Sequence, residues 1–203
     1  AEANATIKVY NGDSLMGETV ASNKGTWSFA ASSLVHGATY DFKVTATDAS
    51  QNTSVFSNAM PVVIDTVAPT VPQIVSFSPG NVVAGFTKST VITLNGTAEA
   101  NATIKLYNGS KYVGATVADE SGAWSFTTGT LANATYRFAA TATDAAGNTS
   151  PLATLASSGS APASPSNDHS VMVVTVDTKA PKAPTVSSMS TDTGTAGDRV
   201  TSD

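Results

Sequence analysis

A long internal repeat is the feature that most constrains what this chain can fold into. The segment AEANATIKVYNG at residues 1–12 returns as AEANATIKLYNG at residues 98–109. A period of roughly 97 residues is too long for a solenoid repeat and suits an independent small domain. The sequence therefore predicts one folding unit that is used repeatedly along the chain.

The repeat continues through the rest of each unit. Matching blocks are GTWSF and GAWSF, YDFKVTATD and YRFAATATD, and DTVAP and DTKAP. A second proline, Pro72 or Pro184, follows each member of the last pair. Because proline restricts φ and disfavours helix, these segments predict stiff extended joints. We expect a partial unit at residues 1–65, a complete unit at 66–177 and the start of a third at 178–203.

The frame of the repeat is offset from the ends of the chain. The first unit has no counterpart of residues 72–97, and the third unit is cut short. The simplest interpretation is that the chain is a window on a longer protein. The alternative is strand donation, in which the tail of one copy completes the first unit of another.

The pattern within each unit is that of β-strands. Apolar and polar residues alternate with a period of two, and β-branched and aromatic residues are frequent. Seven short strands in about 100 residues are typical of a Greek-key sandwich of the immunoglobulin (Ig) type. The predicted fold class is all-β, with tandem Ig-like seven-stranded β-sandwiches in a linear array. The predicted strands are Gln73–Phe77, Thr90–Leu94, Thr103–Tyr107, Val113–Val117, Trp124–Thr127, Tyr136–Thr141 and Val171–Val176.

Aromatic residues recur at equivalent places in the two units. Tyr40 and Tyr136 sit where Ig-like sandwiches place a tyrosine corner, between the fifth and sixth strands. Trp27 and Trp124 each have a phenylalanine two positions on, which points to the same side of a strand. We therefore predict a core position for both tryptophans in preference to a carbohydrate-stacking platform.

Composition and charge exclude several function classes. The chain has no cysteine, which removes disulfides, thiol catalysis and cysteine-type zinc sites. The net charge of -5 and the scattered Lys and Arg residues argue against nucleic acid. No apolar run is long enough for a membrane span. Neither histidine, His36 or His169, has a paired nucleophile, so we predict no enzymatic activity.

One segment of the second unit has no counterpart in the first. Residues 153–170 are rich in Ser, Pro and Ala. Such a composition predicts an inserted mobile loop. A recognition loop is the alternative, because binding elements commonly lie on the loops of rigid sandwiches.

The repeated motifs together resemble a known family. GTAEANATIKLYNG, GAWSF, YRFAATATDAAGNTS and DTKAPKAP are similar to the bacterial Ig-like repeats that form the stalks of giant surface adhesins, including those exported by type I secretion. The resemblance covers the chain except residues 153–170. It implies a secreted, non-enzymatic extender at the bacterial cell surface, with linkers stiffened by calcium. The implied partners are neighbouring repeats and a tip ligand outside this fragment, which is expected to be monomeric.

The topology of a seven-stranded sandwich predicts where calcium would bind. The loops after the second and sixth strands lie at the end that faces the preceding linker, so Asp65, Glu99 and Asp144 should converge there with Asn148. Carboxylate, amide and carbonyl oxygens are the hard ligands that calcium requires. The alternative is that residues 144–148 form only an Asx turn, in which an Asp or Asn side chain bonds nearby backbone.

Further acidic residues extend this prediction to other joints. Those placed at incomplete copies of the same site are Glu2, Asp48 and Asp177. Those placed at a second type of calcium site, in the opening segment of the third unit, are Asp192, Asp198 and Asp203.

Three functions fit these expectations. The first is a structural spacer in a surface adhesin. The second is a module that binds a glycan or protein through its loops, and the third is an accessory domain of a secreted hydrolase. Most aromatic residues occupy core-facing positions in the predicted strands, which favours the spacer.

Overall fold

The structure is a computed structural model that describes residues 1–81, 84–153 and 170–185. All regular elements in these ranges are β-strands, as predicted. These ranges contain no helix with the length and apolar character needed to cross a membrane. The strands are β1 (Thr6–Asn11), β2 (Ser14–Val20), β3 (Thr39–Thr47), β4 (Met60–Val63), β5 (Gln73–Ser78), β6 (Phe86–Thr87), β7 (Thr93–Thr97), β8 (Thr103–Asn108), β9 (Lys111–Val117), β10 (Ala123–Thr127), β11 (Ala134–Thr143) and β12 (Val171–Val176).

Residues 1–65, which we call the first unit, form a single antiparallel sheet. Its strand order is β2-β1-β3-β4. A small buried cluster on one face contains Ala5, Ile7 and Ala21, with Val44 and Ala46 packed against it. The first unit thus has one layer of sheet and a limited core.

Residues 66–177, which we call the second unit, form two sheets that share one core. The strand orders are β10-β7-β5 and β6-β12-β11-β8-β9. All pairings are antiparallel except that of β6 with β12. Ile74, Leu94 and Trp124 from one sheet pack with Leu106 and Phe138 from the other. The predicted Ig-like sandwich is confirmed here, because two sheets bury their apolar faces against each other.

The predicted strands agree with the structure except at the second. That strand was expected at Thr90–Leu94 and lies at Thr93–Thr97. The apolar alternation is right, since Ile92 and Leu94 are both buried. However, the Ser89 hydroxyl donates to the carbonyl of Val91 at 2.6 Å, and this local turn competes with strand pairing before residue 93.

Two features of the sheets were not predicted. The two-residue strand β6 is too short to show a period in the sequence. Strand β9 joins the larger sheet by pairing with β8, while its Gly114 lies beneath the ring of Phe126 in β10. A Cβ atom at residue 114 would be 2.5 Å from Phe126 Cε2, so only glycine permits this approach without a shift.

The two tryptophans differ in burial. Trp124 is 4% exposed and lies in the core, as predicted. The core prediction for Trp27 is wrong, because this side chain is 40% exposed. Strand β10 holds Trp124 by pairing with β7, whereas residues 25–29 form no strand and no counterpart of β7 exists among residues 1–65.

Both predicted tyrosine corners are present. The Tyr136 hydroxyl donates to the carbonyl of Ala132 at 3.0 Å, and the Tyr40 hydroxyl accepts from the amide of Val35 at 3.1 Å. Each hydroxyl therefore ties the start of its strand to the preceding chain, as in other Ig-like sandwiches.

Candidate functional site

The segment that follows β11, residues 144–148, forms a closed turn around one carboxylate. The backbone amide of Asn148 donates to Asp144 Oδ1 at 2.8 Å, and Asn148 Nδ2 donates to Asp144 Oδ2 at 2.9 Å. The Asp144 amide donates to the carbonyl of Asn148 at 3.1 Å, which closes the turn from the other side. We call residues 144–148 the Asp144 turn. It is the Asx-type geometry that short polar side chains favour.

The Asp144 turn also sets the charge of its carboxylate. The side-chain hydrogen bond from Asn148 lowers the pKa of Asp144 below its ordinary value of 3.8, and the backbone amides of the turn add to this effect. Hydrogen bonds to the ionised form stabilise that form. At neutral pH the turn therefore presents a negative charge at this end of the sandwich.

A hydrogen bond crosses from this turn to the preceding linker. Asn148 Nδ2 donates to the backbone carbonyl oxygen of Asp65 at 3.2 Å. The same nitrogen donates to Asp144 Oδ2, so one amide group bridges an oxygen of each unit. The sequence predicted that Asp65, Glu99, Asp144 and Asn148 would converge, and these hydrogen bonds join three of the four, Asp65, Asp144 and Asn148. Asp65 reaches Asn148 through its main chain.

The carboxylate of Asp65 is held within the linker. Its Oδ1 accepts from the amide of Val67 at 3.0 Å. His36 Nδ1 lies 3.4 Å from the same oxygen and accepts from the amide of Thr66 at 3.1 Å. Asp177 forms the same turn, since its Oδ1 accepts from the amide of Lys179 at 2.9 Å.

Glu99 lies on the loop between β7 and β8. Its carbonyl accepts from the amide of Ala102 at 3.2 Å, and Asn101 has a φ of 61°. The residue as a whole is exposed. Within residues 1–81, 84–153 and 170–185, no three His, Cys, Asp or Glu residues are grouped closely enough to hold a metal. The inter-unit calcium site therefore stays a prediction.

The first unit repeats this arrangement at its own end. Asn52 donates from its backbone amide to Asp48 Oδ1 at 2.9 Å and from Nδ2 to Oδ2 at 2.8 Å. These bonds lower the pKa of Asp48, the side-chain bond most of all. Glu2 and Asp48 line one open pocket of about 290 Å³ together with Asn52. The two predicted acidic residues are thus brought together, and calcium binding by them stays a prediction.

The remaining predicted site residues lie in parts of the chain that the structure does not describe. Asp192, Asp198 and Asp203 are outside the described residues, as are residues 154–169 of the predicted insertion. The second type of calcium site and the recognition-loop alternative stay predictions.

Sequence reasoning missed another acidic turn at the same end of the second unit. Asp119 Oδ1 accepts from the backbone amide and hydroxyl of Ser121 and from the amide of Ala123, at 2.8, 2.6 and 2.9 Å. The Ser121 hydroxyl is the main cause of its lowered pKa. The Asn101 amide donates to the Asp119 carbonyl at 3.3 Å, which places this turn beside the Glu99 loop. The signal was the Asp-x-Ser-Gly pattern, which is typical of a turn.

A family comparison agrees with the fold of the second unit. Residues 78–157 match the sequence model of the bacterial Ig-like domain family. No curated protein sequence matches the chain. The resemblance to bacterial Ig-like domains is therefore confirmed for the matched part of the chain.

Solved structures with low sequence identity are also similar to the chain. The fibronectin(III)-like modules of Clostridium thermocellum CbhA are 14% identical with a TM-score of 0.49, and the match covers 86% of this chain and 79% of theirs. The BSP domain of a biofilm associated protein is 18% identical with a TM-score of 0.33, covering 89% of this chain and 26% of that one. The D00-D0 domain of intimin is 14% identical with a TM-score of 0.28, covering 72% and 76%.

Proposed function

We propose that this chain, which contains a bacterial Ig-like domain, is a spacer segment of a bacterial surface adhesin whose joints are stiffened by calcium. In this role the chain is extracellular and has no catalytic activity. It separates a distant binding tip from the cell. The family match at residues 78–157 supports the domain type. The observation that carries the proposal is the contact between the Asp144 turn and the linker.

The chemistry of that contact suits a hard cation. Asn148 Nδ2 sits between the carbonyl oxygen of Asp65 and Asp144 Oδ2, at 3.2 and 2.9 Å. Two acceptor oxygens from different units therefore already face one positively polarised group. Calcium prefers carboxylate and carbonyl oxygens of this kind. The donor set fits calcium better than zinc or copper, which favour nitrogen and sulfur ligands.

The residues that would hold the ion are Asp65, Glu99, Asp144 and Asn148. Glu99 is exposed and the Asp65 side chain is 42% exposed, so neither carboxylate is fixed in a core. Bound calcium would supply positive charge that offsets repulsion among the three carboxylates. A joint held by several ligands from both units pivots less than one held by a single hydrogen bond.

Calcium binding can be measured on the full chain by calorimetry with and without chelator. At a calcium concentration of about 100 times the dissociation constant, the folded state should gain about 2.7 kcal/mol. We expect this gain to be lost in Asp144→Asn, which removes one carboxylate from the joint.

Asp48→Asn is the matched control. Asp48 makes the same turn with Asn52 at nearly the same distances. It belongs to the first unit and is not one of the residues at the joint of Asp65 with Asn148. The substitution should disrupt the equivalent turn of the first unit. The stabilisation of the folded state by calcium should remain unchanged. An Asp144→Asn chain that responds to calcium as strongly as the unchanged chain would refute the joint site. If calcium does not stabilise the unsubstituted chain, the proposal that calcium stiffens the joints is refuted.

A further inference from the structure

The two units carry different charges on their equivalent strands. In the second unit, β8, β9, β11 and β12 carry three cations and no acidic residue. These cations are Lys105, Lys111 and Arg137. The equivalent strands of the first unit, β1 to β4, carry two lysines and two acidic residues, which are Lys8, Lys43, Glu18 and Asp41. The larger sheet of the second unit is therefore cationic, although the net charge of the chain is -5.

The first unit neutralises the equivalent surface with its own side chains. Lys43 Nζ lies 3.1 Å from Asp13 Oδ1 and 4.5 Å from the ring centroid of Phe56. In the second unit Ala139 takes the place of that lysine. Three acidic residues of the first unit are likewise replaced by neutral or cationic residues in the second. The pairs are Asp13 and Ser110, Glu18 and Ala115, and Asp41 and Arg137.

The cations of the second unit's sheet have no acidic partner in the part of the chain that the structure describes. Both ion pairs within residues 1–81, 84–153 and 170–185 belong to the first unit. Lys105, Lys111 and Arg137 take part in neither, and all three are exposed. Exposed cations of one sign attract an anionic ligand, and this attraction weakens as salt is added.

Two of these cations share the outer face of the sheet with a pair of tyrosines. Successive residues of a strand point to opposite faces, and the core residues of β8 and β11 carry even numbers. Lys105, Tyr107 and Arg137 therefore face outward. Tyr112 of β9 is opposite Tyr107 in the register, and their ring centroids are 5.9 Å apart. We call Lys105, Tyr107, Tyr112 and Arg137 the cationic face.

The tyrosine pair lies between the two cations along the strand direction. Tyr107 is opposite Ala139 in the register of β8 with β11. Lys105 lies two residues to one side of this row, and Arg137 lies two residues to the other side, because the strands are antiparallel. At about 3.3 Å per residue, the backbones of the two cations are separated by about 13 Å along the strands. The Arg137 amide donates to Asn108 Oδ1 at 3.0 Å, which fixes its position beside the hairpin.

The tyrosine pair and the spacing of the cations indicate the chemistry of the ligand. Tyr112 is 55% exposed, and its ring meets that of Tyr107 at an angle of 69°. An exposed tyrosine ring offers an apolar surface on which the C–H groups of a sugar ring can pack, beside a polar hydroxyl. Cations about 13 Å apart suit a polymer with widely spaced carboxylates. They suit nucleic acid less well, because DNA carries one charge per about 1.7 Å.

We propose that the cationic face binds an acidic polysaccharide. A sugar ring packs on Tyr112, and carboxylates on either side of that ring pair with Lys105 and Arg137. The polymer lies along the side of the second unit, whereas the Asp144 turn lies beyond the end of β11. The cationic face does not use the joint with Asp65, so failure of the calcium proposal would leave it unaffected.

Binding is tested on the full chain by NMR titration in the presence of chelator, which keeps calcium out of the measurement. The probes are a hyaluronan octasaccharide, with a carboxylate on every second sugar, and an oligogalacturonate of the same length, with one on every sugar. Maltooctaose is the neutral comparison. We expect at least one carboxylated probe to shift the backbone amides of Lys105, Tyr107, Tyr112 and Arg137. Its affinity should fall as salt is added.

The first unit supplies the substitutions that separate charge from ring contact. Arg137→Asp introduces the residue type of Asp41 and should weaken binding at least about tenfold, because a charged hydrogen bond is replaced by repulsion. Tyr112→Leu introduces the residue type of Leu15 and should weaken binding without changing the charge. Lys24→Glu is the matched control, since it changes the net charge as much as Arg137→Asp does, at an exposed turn of the first unit. Binding should be unchanged in Lys24→Glu.

Dispersed amide signals of β8 and β11 show whether each variant is folded. If Arg137→Asp does not fold, Lys105→Glu places the same repulsion at the other cation and should weaken binding to a similar extent. The proposal is overturned if neither carboxylated probe binds, if the shifts lie away from the cationic face, or if maltooctaose binds as tightly. Equal weakening by Lys24→Glu and Arg137→Asp would also overturn it, because only long-range charge would then matter. So would tighter binding of a polyglutamate peptide, because the ligand would then be an acidic protein segment.

Discussion

At the scale of single residues, the two units form the same turn with the same residue types. Asp48 and Asp144 each bind the amide and side chain of the Asn four residues on, and both have a lowered pKa. These turns could be predicted from the sequence because all their bonds lie within five residues. The sequence could not predict that Asp65 contacts Asn148 through its backbone carbonyl, while its carboxylate accepts from the amide of Val67.

The turns predict how stability depends on acid. The folded-state pKa of Asp144 lies below 3.8, so its ionised form stabilises the fold at pH values above about 3.8. This contribution is lost as the pH falls through the folded pKa. In Asn148→Ala, the largest cause of the shift is gone. We expect the pKa of Asp144 to move up towards 3.8, as measured by NMR titration of its carboxyl carbon.

Asn52→Ala is the control for that titration. It should raise the pKa of Asp48 and leave Asp144 unchanged, because the Asp48 shift arises mainly from Asn52. An Asp144 pKa that stays low in Asn148→Ala would show that the Asn148 side chain is not the main cause of the shift.

At the scale of strands and sheets, the period-two pattern located most elements but not their partners. Strand β9 shows why. Its alternation predicts a strand, whereas its place beside β8 depends on Gly114 fitting beneath Phe126. That contact joins residues on different sheets. Short-range patterning carries no information about it.

The contact between Gly114 and Phe126 can be tested by a single methyl group. Gly114→Ala would place a Cβ 2.5 Å from the Phe126 ring. Overpacking of this kind typically costs about 1–3 kcal/mol. We expect the second unit to lose stability by that amount in urea unfolding followed by Trp124 fluorescence.

Gly129→Ala serves as the comparison, because a Cβ at residue 129 would meet nothing within 4 Å. This substitution should change the free energy of unfolding by less than about 0.5 kcal/mol. Equal effects of the two substitutions would mean that the approach of Phe126 does not depend on glycine.

At the scale of the whole molecule, two units of similar sequence have unequal cores. The second unit buries side chains between two sheets, while the first has one sheet and a small cluster around Ile7. Local stability follows buried apolar contact. The first unit should therefore be the weaker of the two.

This inequality predicts unfolding in two steps. Urea titration followed by Trp27 in Trp124→Phe should show a midpoint at lower urea than titration followed by Trp124 in Trp27→Phe. Separate transitions seen by different probes indicate that the chain is not a single cooperative unit. Coincident midpoints would contradict the unequal cores.

The sequence by itself determined the repeat, the all-β class, most strand positions, the tyrosine corners and the Asx turn at residues 144–148. Each depends on periodicity or on bonds between near neighbours. Only the tertiary structure decided that Trp124 is buried while Trp27 is exposed, and that the linker meets the Asp144 turn through a carbonyl. The physical reason is that burial and cross-unit contacts depend on what lies opposite a residue. In the first unit no second sheet lies opposite Trp27.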